Sequence, residues 1–141
     1  MIRRKEVCLF CLVISTFPAI AAAEPTLVDW VRQQVDSQLV RPIAEQRASF
    51  SRRRPPPRES RIRVLQTQPS VDKQNQEFVP FAVDVRSGSD WREDMAGCVY
   101  RADAKIFVKR GDSYRPATYM LGENADPVHG VCEAAAPKTA S

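Results

Sequence analysis

Histidine, glycine and catalytic signatures are scarce in this chain. His129 is the only histidine, and five glycines are spread over 141 residues. No Gly-x-Ser-x-Gly elbow, His-Glu-x-x-His helix or glycine-rich phosphate loop occurs in it. Those gaps remove the commonest hydrolase, metalloprotease and nucleotide-binding readings. One histidine and two downstream cysteines cannot complete a four-ligand structural zinc site without carboxylates. Neither a metal nor a cofactor is expected.

A long hydrophobic run is missing too. "VCLFCLVISTFPAI" is interrupted by Pro18 and falls short of the roughly 20 apolar residues that span a bilayer. Arg3, Arg4 and Lys5 precede it and "AAAEP" follows, with a small-residue cleavage point after Ala23. Residues 1–23 therefore read as an export signal rather than a retained anchor. Cleavage would leave Glu24 first, not a lipid-bearing cysteine, and would discard Cys8 and Cys11. The expected product is secreted, into a bacterial periplasm, and does not span the membrane.

Two cysteines remain, Cys98 and Cys132, with no Cys-x-x-Cys spacing between them. An oxidising compartment favours their pairing. A nucleophilic thiol beside His129 would need the reduced form, which export disfavours. A disulfide is expected.

What the chain does contain falls into pieces: a signal (1–23), a helical segment (24–50), an Arg/Pro-rich linker (51–61), a small antiparallel β domain (62–134) and a disordered tail (135–141). In "TLVDWVRQQVDSQLVRPIAEQRASF", Thr26 and Asp29 resemble a capping box, and Val28, Val31, Val35 and Leu39 fall on one stripe. Pro42 is expected to interrupt this helix and start a second short piece. Between Arg41 and Arg63 eight arginines face only Glu45 and Glu59, so the positive charge is concentrated here. Pro55, Pro56 and Pro57 favour an extended path. Arg52, Arg53, Arg54 and Arg58 could meet an anionic envelope surface, or simply form a solvated linker. Nucleic acid is not expected, because no stacking aromatics are interleaved with the arginines.

The β domain reads as strands at "RIRVLQT", "FVPFAVDV", "CVYRA", "KIFVKR" and "SYRPATYML", with Pro80 as an edge device. "QPSVDKQNQE" reads as a long loop or hairpin connection. "RSGSDWREDMAG" reads as a turn and one helical turn capped by Ser89 or Asp90. Gly111-Asp112 signals a two-residue hairpin that sets Pro116 opposite Phe107 and leaves a free edge. The fold class is α+β and strand-dominated: an amphipathic helix plus a small antiparallel meander closed by one disulfide.

Candidate sites are few. Tyr100, Phe107, Lys109, Arg110, Tyr114 and Arg115 combine aromatic and basic side chains suited to protein recognition, although alternating strands also produce such a pattern as core and solvated face. Glu93, Asp94 and His129 are the candidates for a small envelope-acting hydrolase. Against them, adjacent carboxylates point apart, and Trp91 reads as a core plug. Asp84, inside an apolar strand, needs a partner such as Arg86, Arg101 or Lys105. The expectation is a non-catalytic binding or accessory protein that contacts a protein partner or an anionic envelope component. Its alternatives are the hydrolase and a surface protein held by the basic arm. No feature points to an oligomeric state.

Overall fold

The computed structural model describes residues 25–50 and 58–136. Thr26 caps the first helix as its sequence suggests: its Oγ1 accepts the Asp29 amide at 3.2 Å and donates to Asp29 Oδ2 at 2.8 Å. Helix α1 (Leu27–Val35) runs through a π-helical turn, Asp36–Val40, into α2 (Arg41–Phe50). Helicity continues at Pro42. Arg41 keeps φ −62° and ψ −49°, and its N–H reaches the Asp36 carbonyl. A widened turn directly before the proline accommodates a residue that has no amide to donate.

That turn also serves packing. Val31, Val35 and Leu39 are buried and Ile43 packs beside them, all in steps of four. On a regular α-helix this spacing drifts by about 40° per step, and the wider turn takes up the drift. Leu27 and Trp30 pack against the core, whereas Val28, expected on the stripe, is only half-buried and stays outside that cluster.

Six strands follow: β1 (Ser60–Val64), β2 (Ser70–Val71), β3 (Glu77–Ser87), β4 (Asp90–Tyr100), β5 (Ile106–Arg110) and β6 (Ser113–Pro116). They form one antiparallel sheet in the order β1-β3-β4-β5-β6, with β2 also on β3. The α+β, strand-dominated expectation holds. The helix lies at 27–50, inside the chain rather than at its start.

The β5–β6 hairpin forms as read, except that its outer edge is not free, since Val128 bridges to Tyr114. Gly111 takes φ +60°, Arg110 pairs with Ser113, and Pro116 faces Phe107. β6 then stops at Pro116, and Ala117–Leu121 is a 3-10 helix ended by Gly122 at φ +93°, so "SYRPATYML" is only half strand. The "QPSVDKQNQE" stretch is a hairpin connection, with Asn75 in the left-handed region at φ +62°.

Two expectations fail on β3 and β4. No helical turn follows Ser89. Gly88 at φ +65° reverses the chain, Ser87 pairs with Asp90, and β4 starts there. Pairing along the whole of β3 outweighs the weak helical preference of "DWREDM". Pro80, expected at an edge, sits in the central strand β3. Its carbonyl accepts from Leu65 N–H at 3.0 Å, so its amide position faces Leu65 as well, just past the last residue of β1. The missing donor thus falls in the gap between β1 and β2.

Helix and sheet share one core. Val31, Val35 and Leu39 meet Val79, Phe81, Val83, Val99, Ile106 and Val108 on the inner face. Gly97 permits close packing within the sheet, since a Cβ there would run into the Phe107 carbonyl. Gln38 and Gln46 tie the helix down by donating to the Ala104 and Leu121 carbonyls, both at 3.0 Å.

Candidate functional site

The outer face of the sheet divides into two halves. Toward the end of β4, Phe78, Cys98, Tyr100 and Phe107 form a second buried cluster, covered by Tyr114, Val128, Val131 and Cys132. Tyr100 packs against Phe78 and Phe107 with ring centroids 5.8 and 5.7 Å away. Cys98 is bonded to Cys132, with α-carbons 5.7 Å apart across 34 residues.

A buried polar chain runs beneath the bridge. The Cys132 amide donates to the Tyr100 hydroxyl at 3.1 Å, and that hydroxyl donates to Asp72 Oδ2 at 2.8 Å. Asp72 Oδ1 accepts the Gln74 and Gln76 amides at 2.9 Å each. Burial pushes the Asp72 carboxyl up, but these donors outweigh it and hold it below the ordinary carboxylate range. Burial also raises the Tyr100 hydroxyl, and it remains a donor.

The other half of the outer face is charged. Asp84 is buried and clamped by two arginines of β1: Arg61 Nε donates at 2.8 Å, Arg63 Nε at 2.6 Å and Arg63 Nη2 at 3.1 Å. Arg63 Nη2 also lies 3.4 Å from Glu93 Oε2, and the Arg61 guanidinium stacks 4.5 Å above the Trp91 ring. A bulge in β4 assembles this group. Val83 faces Met95, yet Asp84 faces Glu93, which leaves Asp94 as the extra residue. The one-residue slip brings Trp91 and Glu93, rather than Arg92 and Asp94, to the face of Arg61 and Arg63.

Of the residues singled out from sequence, Tyr100 and Phe107 are buried, and Tyr114 and Arg115 are half-buried. Arg115 Nη1 donates to the Ala125 carbonyl at 2.7 Å and its guanidinium lies over Tyr119. Arg110 reaches Met120 Sδ at 2.9 Å. Lys109 is exposed. The aromatic-basic group is therefore divided between core and surface. Arg52, Arg53 and Arg54 lie outside the described residues, and Arg58 is exposed. Trp91, read as a core plug, is 37% exposed.

Glu93, Asp94 and His129 are not brought together. His129 follows Val128, which bridges to Tyr114 of β6, while Glu93 and Asp94 lie on β4 near the β3–β4 turn. Three strand spacings separate them, roughly 14 Å. Asp84 takes neither Arg86, Arg101 nor Lys105 as its partner. Arg86 pairs with Glu59, Arg101 with Glu77, and Lys105 sits over the Phe107 ring. The true partners carried a readable signal, since "RIR" set antiparallel to "VDV" places Arg61 directly opposite Asp84.

Beyond β1, Val64–Pro69 line a shallow groove of about 530 Å³ that contains no titratable group. Among the described residues no cluster of three or more metal-ligating side chains occurs, and no helix is long and apolar enough to cross a membrane. Compared with known family models, curated proteins and solved structures, the chain matches none.

Proposed function

We propose that this is a small exported, non-catalytic binding or accessory protein, and that its contact surface is the charged half of the outer face. The observation that carries the reading is Trp91, exposed beneath the Arg61 guanidinium on the face that also holds Arg63 and Glu93. An accessible tryptophan stacked with arginine is the type of group that dominates protein interfaces. The helix is a poorer candidate, because its apolar stripe is spent on its own sheet.

Export to the periplasm is supported by the signal-like N-terminus and by the Cys98–Cys132 bridge, a bond rarely kept in a reducing cytosol. The test is affinity capture from host envelope extract at low salt, with the intact chain and with Trp91→Ala as bait. The intact chain should recover a discrete partner, and the variant should recover about tenfold less of it. Capture of nothing, or equal capture by both, counts against the reading. Retention on anionic vesicles that vanishes when Arg52, Arg53 and Arg54 are replaced would favour the basic-arm alternative instead.

A further inference from the structure

The sheet has three rims among the described residues, and two of them are closed by the end of the chain. On β6, Tyr114 directs its backbone outward, and its carbonyl takes the Val128 amide at 2.7 Å. Pro116, the next outward position, has no amide to offer. On β2, the Val71 carbonyl takes the Ala135 amide at 2.8 Å.

The rim of β1 is different. Leu65 N–H bonds the Pro80 carbonyl at 3.0 Å, and Arg86 N–H bonds the Glu59 carbonyl at 2.9 Å. Antiparallel ladders alternate, so the odd positions of β1 face β3, and Ser60, Ile62 and Val64 direct N–H and C=O outward. Among the described residues no backbone group pairs with these three. The strand also lacks the proline or bulge that usually blunts an edge.

We propose that the outer edge of β1, Ser60–Val64, accepts an extended segment of a partner protein in which carboxylates alternate with apolar side chains. Main-chain bonds to Ser60, Ile62 and Val64 supply the pairing. Arg61 and Arg63 stand on the outer face of this edge, and among the described residues the carboxylates against them are Asp84 and the more distant Glu93. Arg58 lies just upstream. Cross-strand carboxylates would meet these arginines. On the opposite face Ile62 and Val64 are half-buried against the core, and apolar side chains of the added strand would complete their cover.

Charge also selects against a second copy of this chain. Antiparallel pairing of two β1 edges about Ile62 would set Arg61 of one chain against Arg63 of the other, and like charges directly opposite are unfavourable. The proposal rests on the binding role above and gives that role a site and a ligand chemistry.

The test uses the full oxidised chain and three short synthetic peptides: one alternating valine and glutamate, one alternating valine and lysine, and the acidic peptide N-methylated at alternate amides. The acidic peptide should bind at least about tenfold more tightly than the basic one, and N-methylation should abolish binding. On binding, amide exchange at Ser60, Ile62 and Val64 should slow about tenfold or more while Arg61 and Arg63, already paired to β3, stay unchanged. Ser60→Pro removes one outward donor and should weaken binding about tenfold. If that variant does not fold, the N-methylated peptide makes the same test from the ligand side. Equal binding of acidic and basic peptides, or unchanged exchange at the three amides, overturns the proposal. So does protection of those amides in the free chain, which would mean the chain covers its own edge. If the peptides fail while envelope capture still depends on Trp91, the strand-acceptor proposal falls and the binding role stands.

Discussion

Asp84 lies buried between two guanidiniums, and donation first from Arg63 and then from Arg61 holds its carboxyl below the ordinary range. The unfolded carboxyl titrates near about 3.9, so the stabilisation is fully present above that value and is lost as pH falls through the lower folded value. Asp72 acts in the same direction. Asp84→Asn should lower stability at neutral pH and flatten the decline below about pH 4, with the slope due to Asp72 remaining. Denaturation followed at stepped pH measures both effects. Gly97→Ala should cost about 1–3 kcal/mol, because the added methyl meets backbone rather than a movable side chain. Ala104 is the opposite case. It sits at φ +57° with its carbonyl held by Gln38. Glycine there removes a left-handed strain of about 1–2 kcal/mol at an unfolded-state cost of about 0.4–1. Ala104→Gly should therefore be neutral to stabilising in a thermal melt.

At the scale of elements, the helix is the less independent partner. Its buried stripe belongs to the same core as β3, β4 and β5, and Leu39 lies within the π-turn that keeps the stripe aligned. Leu39→Ala should cost about 2–5 kcal/mol in chemical denaturation. A helix standing apart from the sheet would show far less. The elements were legible where periodicity was strong. Val31, Val35 and Leu39 announced the helix, alternation around Phe81 and Val83 announced β3, and Gly111 placed the last hairpin. The first half of β4 was not legible. "DWREDM" has no alternation of apolar residues, and a strand solvated on both faces leaves no period to read. The bulge at Asp94 was beyond reach for the same reason, and with it the meeting of Trp91, Glu93 and the β1 arginines. The fate of Tyr100 and Phe107 also depends on tertiary cover, since alternation assigns them to a face without saying whether a later segment will lie over it.

For the whole molecule the bridge matters most as a fastening for the final segment. Val128, Cys132 and Ala135 each reach a different part of the sheet: the β6 rim, Cys98 and the β2 rim. Reduction should destabilise the fold by about 3–4 kcal/mol on loop-closure grounds. Amide exchange at Val128 and Ala135 should accelerate more than at Val99 or Val83, whose partners do not depend on the strap. Equal acceleration everywhere would mean that the sheet loses its order as a unit.

Because the strap is the last part of the sheet to be synthesised, two of the three borders seen among the described residues would stay open until it docks, and the Cys98–Cys132 bond fastens that docking. Newly made molecules would pass through an interval in which neighbouring copies could zip together through those borders. An oxidation catalyst acting early would then protect yield as much as it would add stability.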